Sequence, residues 1–174
     1  MRRVLITGPE STGKSELAMG LAQHYGGITV PEYAREYVEK LDRPCTYSDV
    51  EHIARWQQES YERFILPGTH VFFDTWLIIT RVWFEVVFHR VPSWIDEQIA
   101  QASFDFVLLC HTDLPWVSDG LRENGGEMRE LLQERYRELI RKAGWSYYTV
   151  DGIGGERLTN AIRLIDKHMS NDES

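Results

Sequence analysis

Short apolar runs alternate with longer segments of helical periodicity along almost the whole chain of 174 residues. The lengths of five apolar runs fit buried strands, at residues 3–7, 28–30, 71–73, 104–110 and 146–150. Strands that alternate with helices indicate a parallel sheet that helices cover on both faces. The pattern therefore predicts an α/β fold, a three-layer α/β/α sandwich around a five-stranded parallel sheet.

Helices are predicted between and after these strands, at residues 14–25, 31–41, 48–66, 75–88, 93–102, 127–142 and 156–169. Pro31 suits the first turn of the second helix, because its missing N–H has no partner there in any case. Ser48 and Glu51 have the spacing of a capping box and are expected to begin the third helix. Ser93 is expected to cap the fifth.

Composition and charge narrow the range of partners. Hydrophobic residues make up 43% of the chain and charged residues 26%, so residues 1–170 are expected to form one domain, with residues 171–174 as a disordered tail. The net charge of −8 disfavours nucleic acid, because an acidic surface repels phosphate backbones. The longest apolar segment, residues 76–88, is shorter than the about 20 residues that a membrane-spanning helix needs. We expect a cytoplasmic protein without nucleic-acid or membrane partners, in which Cys45 and Cys110 are free thiols.

Residues 8–15 read Gly-Pro-Glu-Ser-Thr-Gly-Lys-Ser and match the phosphate-loop motif G-x-x-x-x-G-K-[ST] at every fixed position. The motif follows a predicted strand and opens a predicted helix, which is the structural context it requires. Its glycines let successive N–H groups point at an anion. Lys14 is expected to reach the β- and γ-phosphates of ATP, and the Ser15 hydroxyl to bind Mg²⁺. The residues predicted to hold the nucleotide here are Gly8, Glu10, Ser11, Thr12, Gly13, Lys14 and Ser15.

Four segments, in this order, resemble one family of kinases. They are residues 8–15, Val-Pro-Glu-Tyr-Ala-Arg-Glu-Tyr at 30–37, Phe-Phe-Asp-Thr at 72–75 and Pro-Trp-Val-Ser-Asp-Gly-Leu-Arg-Glu at 115–123. Together they resemble the ribosylnicotinamide kinase domain of the NadR family, over nearly the whole chain. The H-x-G-H signature of the adenylyltransferase domain in longer family members does not occur. The resemblance implies a stand-alone P-loop kinase that phosphorylates nicotinamide riboside to nicotinamide mononucleotide, using ATP and Mg²⁺.

Asp74 ends an apolar strand at the edge of the sheet where ligands of such folds bind. A carboxylate there resembles the Walker B acid that holds Mg²⁺; the alternatives are a ribose contact and a cap for the helix from Thr75. By resemblance to nucleoside kinases, Glu32 is the first candidate for the general base on the 5′-hydroxyl, and Asp74 the second. Arg35 is expected to neutralise the phosphoryl group or a substrate oxygen, and Tyr33 to supply an aromatic face. The alternative for this segment is a solvated helix with charge pairs.

Residues 111–128 are expected to form a lid, because glycines and cations interrupt an irregular polar stretch. Arg122 and Arg129 are expected to hold phosphate oxygens of ATP, and Arg122 to act as a catalytic residue beside Lys14. Trp116 is a candidate stacking surface for a pyridine ring, or else a residue that packs the loop onto the body.

Asp151 and Gly152 follow the last predicted strand. In kinases that the chain resembles, this loop lines the adenine pocket, and a simple strand-to-helix turn is the alternative. Asp113 is expected to bind a ribose hydroxyl or to cap a turn. The sequence leaves open the oligomeric state and two other functions: a kinase of another nucleoside or small hydroxyl compound, and a nucleotide-sensing module without catalysis.

Overall fold

The computed structural model describes residues 2–115 and 126–172. In these ranges the strands are β1 (Arg3–Thr7), β2 (Ile28–Val30), β3 (Val71–Asp74), β4 (Phe106–Cys110) and β5 (Tyr147–Val150). They form one sheet in the order β2-β3-β1-β4-β5, and every neighbouring pair is parallel. β1 therefore lies at the centre, between β3 and β4, and carries the segment 8–15 at its carboxyl end.

The helices of the described ranges are α1 (Lys14–Tyr25), α2 (Tyr33–Glu39), α3 (Tyr47–Arg63), α4 (Leu77–Trp83), α5 (Ser93–Gln101), α6 (Glu127–Lys142) and α7 (Gly155–Asp172). A π-helical turn, Phe84–Phe88, continues α4. None of these helices combines the length and the apolar composition that crossing a bilayer demands.

Helices cover both faces of the sheet, because successive side chains of a strand point to opposite sides. Val4 and Ile6 of β1 pack with α1 and α7, whereas Leu5 packs with α3, α4, α5 and α6 on the other face. Burial on both faces explains why the strands read as continuous apolar runs. The predicted three-layer sandwich with a five-stranded parallel sheet is therefore confirmed.

The capping box of α3 lies two residues earlier than predicted. α3 begins at Tyr47, and the Thr46 hydroxyl accepts the N–H of Asp49 at 3.3 Å. In return, the Asp49 carboxylate accepts the N–H of Thr46 at 2.7 Å. The prediction of a box at residues 48–51 was wrong because Asp49 fills the role that glutamate or glutamine usually has.

Other boundaries also differ from the prediction. Ser93 is the first residue of α5 and does not cap it, since Pro92 precedes the helix without a side-chain bond. α2 begins at Tyr33, two residues after Pro31. α7 runs to Asp172, so part of the segment expected as a disordered tail is helical.

Asp49 also connects α2 to α3. Its carboxylate accepts from Arg43 Nη1 at 2.6 Å, from the Thr46 hydroxyl at 2.6 Å and from the Tyr37 hydroxyl at 2.9 Å. The Arg43 guanidinium, followed by the Thr46 donors, holds the pKa of the Asp49 carboxyl well below its usual range. Because Tyr37 belongs to α2, which buries no residue of its own, this cluster fixes the position of α2.

Replacement of Asp49 by asparagine should remove a pH-dependent part of the stability. A carboxyl group with a depressed folded-state pKa stabilises the fold above its unfolded pKa of about 3.9, and this contribution is lost as the pH falls below that value. We expect Asp49→Asn to unfold at lower urea concentration than the unsubstituted chain at about pH 7, and the gap to narrow between about pH 5 and about pH 3. Urea titrations followed by tryptophan fluorescence measure the gap.

The matched control is Asp96→Asn, because Asp96 pairs with Arg81 at the surface, with about half of its side chain exposed. Its effect should be small and should change little with pH. A gap for Asp49→Asn that stays constant across the acid range would contradict the role assigned to its carboxylate.

Candidate nucleotide and substrate site

The loop of residues 8–15 connects β1 to α1 at the carboxyl edge of the sheet. Gly8 has a φ of 144° and Gly13 a φ of 72°, which side chains of L-residues rarely permit. A Cβ atom on Gly8 would lie 2.9 Å from the carbonyl oxygen of Cys110, at the end of β4. Only glycine therefore lets the loop start this close to the neighbouring strand.

Side chains of the loop hold it to its own backbone. The Thr12 hydroxyl and Lys14 Nζ both donate to the carbonyl oxygen of Pro9, each at 2.8 Å. Lys14 is buried, with 6% of its surface exposed, so its charge acts in a region from which most water is excluded. An ammonium group has three hydrogens, and Lys14 therefore retains donors for an anion.

Ser15 and Asp74 meet beside the loop. The Ser15 hydroxyl donates to Asp74 Oδ2 at 2.5 Å, and Asp74 is buried at the end of β3. Hydroxyl and carboxylate oxygens are the ligands that Mg²⁺ prefers, so the pair fits such an ion. Asp74 does not cap α4, because Trp76 occupies that position and offers no side-chain bond.

Thr75 shows why α4 starts later than predicted. Its φ is 65°, a strained value for a β-branched residue, with a typical cost of about 1–3 kcal/mol. Its N–H donates to the carbonyl oxygen of Ile6 at 2.9 Å, so the chain continues the pairing with β1 for one more residue. The helix predicted from Thr75 therefore begins only at Leu77, and the strained turn lies directly beside Asp74.

A cavity of about 240 Å³ opens next to the loop and is bounded by α2, α3, α4 and α6. Its polar end is lined by Gly8, Glu10, Lys14, Glu32 and Arg35. Its apolar part is lined by residues that include Val38, Ile79, Trp83, Val87, Leu132 and Tyr136. The cavity thus joins the phosphate loop to an apolar part, called the apolar chamber below, whose lining includes the aromatic residues Trp83 and Tyr136.

Glu32 and Arg35 also line a second hollow, together with Ser15 and Asp74. Glu32 therefore lies between the cavity that begins at Lys14 and the Ser15–Asp74 pair. The structure thus brings together three of the predicted catalytic residues, Lys14, Glu32 and Asp74. On its outer side, Arg35 pairs with Glu39 at 3.0 Å.

Tyr33 does not reach the cavity. Its ring stacks on Trp56, with 4.3 Å between ring centroids, and its hydroxyl shares a hydrogen bond of 2.9 Å with His52 Nε2. The aromatic faces in the described cavity wall are instead those of Trp83 and Tyr136. Neither residue was predicted as a site residue: the aromatic residues of 76–88 were expected in the core, in a helix that could also pack against the substrate pocket, and Tyr136 has the helical spacing of an ordinary core residue.

Trp116 and Arg122 lie outside the described residues, as does most of the expected lid over 111–128. Arg129, at the start of α6, faces the phosphate loop: its guanidinium donates to the carbonyl oxygens of Leu114 at 3.0 Å and Ser11 at 3.4 Å. Burial lowers the pKa of Arg129. The residue therefore supports the loop backbone from the α6 side.

Arg157 is a second support that sequence analysis missed. It is 3% exposed, and its Nη1 donates to the carbonyl oxygens of Thr12 at 3.1 Å and His111 at 3.3 Å. Its Nε donates to Gly152 O at 3.0 Å, and it pairs with Asp113. An arginine in the first turn of a helix opposes the helix dipole, and this was the available signal.

Asp151 and Gly152 follow β5 beside this support. The Gly152 N–H donates to Asp113 at 2.7 Å, so Asp113 caps the turn, which is one of its two expected roles. Asp151 is exposed, and its carboxylate accepts from Asn160 at 3.1 Å. Gly152 has a φ of 105°, which the turn requires and which favours glycine.

Comparison with known proteins agrees with this architecture. The chain is 30% identical, over 97% of its length, to the trifunctional NAD biosynthesis/regulator protein NadR of Salmonella typhimurium, and it spans 43% of that protein. Its fold is similar to that of a NadR protein in complex with NR, with a TM-score of 0.76, 22% identity and coverage of 96% of this chain and 50% of the other. The fold is also similar to that of a deoxyadenosine kinase from M. mycoides, with a TM-score of 0.63 and 17% identity. This match covers 97% of this chain and 99% of the kinase.

The resemblance to NadR that the four motifs indicated is thus confirmed over nearly the whole chain. The chain spans about two fifths of the length of this curated relative. A sequence model of one family, described as an AAA domain, matches residues 3–157. The chain therefore belongs to this family, AAA_28.

Proposed function

We propose that this chain is a kinase that transfers the γ-phosphoryl group of ATP to the 5′-hydroxyl of nicotinamide riboside, in cytoplasmic NAD salvage. One observation carries the proposal: a single cavity is lined both by Lys14 of the phosphate loop and by the aromatic residues Trp83 and Tyr136. A riboside has the matching polarity, with a hydroxyl at one end and a flat ring at the other. The similarity to NadR, a protein of NAD biosynthesis whose structure was solved with NR, supports this substrate.

The aromatic walls suit the ring of nicotinamide riboside. Its pyridinium is flat and positively charged, and the faces of tryptophan and tyrosine attract cations. Glu10 and Glu32 add negative charge at the polar end of the cavity. An apolar part with aromatic faces therefore favours a cationic ring over a neutral base of similar size.

The phosphate loop would hold the triphosphate of ATP through its backbone N–H groups and Lys14. Ser15 and Asp74 are the residues that would hold Mg²⁺, and Mg²⁺ bound with ATP neutralises the charge between the β- and γ-phosphates. Asp74 already accepts a hydrogen bond from Ser15. This contact fits the role of a Mg²⁺ ligand better than that of a general base.

Glu32 is the general base of this proposal. It lines both the cavity and the hollow of the Ser15–Asp74 pair, so it borders the region where acceptor hydroxyl and γ-phosphate would meet. Its carboxylate would accept the proton of the 5′-hydroxyl while the new O–P bond forms, and the bond between the γ-phosphorus and its bridging oxygen breaks to release ADP. Arg35, in the same two linings, would stabilise charge on the transferred group.

Other predicted contacts remain part of the proposal. Residues 1–170 would act as one kinase domain, with a lid over 111–128 that contributes Trp116 and Arg122. Arg129 supports the phosphate loop through the Ser11 carbonyl oxygen. Asp151 and Gly152 would border the adenine of ATP.

Turnover of a nucleoside panel tests the substrate. In an ADP-release assay with Mg²⁺ and ATP, nicotinamide riboside should give a kcat/KM at least about 10-fold above those of adenosine, deoxyadenosine and cytidine, because a neutral base gains less from the aromatic walls. Turnover of another nucleoside with none for nicotinamide riboside would overturn the substrate assignment. ATP binding without turnover of any acceptor would favour a sensing module.

Lys14→Ala should abolish most of the activity and leave the fold intact. The Lys14 ammonium stabilises charge that grows in the transition state, so we expect kcat to fall by at least about 100-fold. Thermal unfolding should change little, because the bond from Lys14 to Pro9 lies within one loop. Steady-state kinetics and a melting curve measure the two effects, and unchanged turnover would contradict the role.

Glu32→Gln and Asp74→Asn distinguish the general base from the Mg²⁺ ligand. Loss of a general base should lower kcat by about 10²–10⁴-fold and leave the KM for ATP nearly unchanged. Asp74→Asn should instead raise the Mg²⁺ concentration needed for half-maximal activity. Glu59→Gln, an exposed change on α3, is the matched control and should behave like the unsubstituted chain. A fully active Glu32→Gln variant would move the base to another residue.

A further inference from the structure

Gln57, on α3, is held by two partners in the cavity wall. Its main-chain carbonyl oxygen accepts from Trp76 Nε1 at 3.2 Å, and its side-chain Oε1 accepts from the Thr80 hydroxyl at 2.5 Å. The residue is 4% exposed, and it nevertheless belongs to the lining of the cavity. Neither the main chain nor the amide of Gln57 is therefore free to turn.

These bonds determine which end of the amide faces the cavity. A glutamine amide has one acceptor oxygen and two donor hydrogens on its nitrogen. The oxygen is used by Thr80, whereas Nε2 has no hydrogen-bond partner within residues 2–115 and 126–172. Because Gln57 lines the cavity and Nε2 is not a fully buried atom, solvent in the cavity can reach this nitrogen. A bound ring that displaces this solvent leaves the donor unpaired unless the ring offers an acceptor.

The donor lies beside the apolar part of the cavity. Thr80, which fixes the amide, follows Ile79 on α4 and precedes Trp83 by one helical turn, and both neighbours line the apolar chamber. The cations in the described cavity lining, Lys14 and Arg35, belong to the polar end. The ligand group that meets Gln57 is therefore part of the ring and is not a phosphate or a ribose hydroxyl.

We propose that Gln57 is a specificity residue that selects ribosides whose ring carries a neutral carbonyl acceptor, such as a carboxamide. The inference rests on the proposed kinase function and adds the group on the ring that is recognised. A ring without an acceptor would leave Nε2 unpaired. A carboxylate would accept the bond, but it would lose its hydration in an apolar chamber where no described cation compensates it.

Three ribosides test the proposal with the unsubstituted enzyme. Nicotinamide riboside has the carbonyl and the amino group, 3-acetylpyridine riboside keeps only the carbonyl, and pyridine riboside has neither. We expect the first two to have kcat/KM values within a few-fold of each other, and pyridine riboside to be roughly 10- to 100-fold poorer, chiefly through KM. If 3-acetylpyridine riboside is as poor as pyridine riboside, recognition uses the amino group and the proposal is wrong.

Gln57→Met locates the effect in one side chain. Methionine has a similar length and no donor, and the Trp76 bond survives because it uses the main chain of residue 57. The ratio of kcat/KM between nicotinamide riboside and pyridine riboside should fall to near one in this variant. Gln58→Met, next along α3, is the control, because the Gln58 amide donates to Gln98 at 2.6 Å and should leave the ratio unchanged.

The results separate this proposal from the kinase function. Absence of turnover with all three ribosides, while another acceptor is phosphorylated, would refute both. Normal turnover of nicotinamide riboside, with an unchanged ratio in Gln57→Met, would refute the role of Gln57 alone. A melting curve of each variant shows whether it is folded, and the comparison of ribosides in the unsubstituted enzyme decides the matter if Gln57→Met does not fold.

Discussion

The close approach of Gly8 to the end of β4 is the constraint on which the site depends. β1 lies between β3 and β4, and its loop leaves the sheet over the Cys110 carbonyl with no room for a side chain. This path directs α1 so that Ser15, in its first turn, reaches Asp74 at the end of β3. Parallel strands end at one edge, and the loop, the acid and the strained Thr75 are therefore adjacent.

Cations around the loop act mainly on backbone carbonyl groups. Lys14, Arg129 and Arg157 each donate to a carbonyl oxygen of residues 9–12. These contacts orient the peptide groups and concentrate positive charge at one place in a chain whose net charge is −8. This local positive charge favours an anion at the loop, although the net charge of the chain is negative.

Much of the architecture could be predicted because its causes are local. The apolar runs and the helical periodicity predicted every strand and helix of residues 2–115 and 126–172, and the motif at residues 8–15 predicted the loop between β1 and α1. The boundary errors have local causes too: Asp49 replaced the usual glutamate of a capping box, and the Thr75 N–H bonded to Ile6 instead of starting a helix.

The parts that could not be predicted depend on contacts between distant segments. Arg157 supports a loop that lies 145 residues earlier in the chain. Its unfavourable place in the first turn of α7 marks the residue as unusual, but it does not identify the partner. Trp83 and Tyr136 line the cavity, while Tyr33, in a motif shared with kinases, packs on Trp56. Which aromatic residue borders a cavity depends on how helices pack, and helical periodicity alone does not determine it.

The attachment of α2 has a consequence for how such a site diversifies. α2 forms one wall of the cavity, yet it buries none of its residues and is held to α3 through the side chains of Tyr33 and Tyr37. Substitutions at Ala34 and Val38, which line the cavity from α2, can therefore change the cavity wall without disturbing the sheet or the loop of residues 8–15. If the proposed function holds, these two positions would change the preferred acceptor, whereas Glu32 and Arg35 of the same segment would stay constant because they serve phosphoryl transfer.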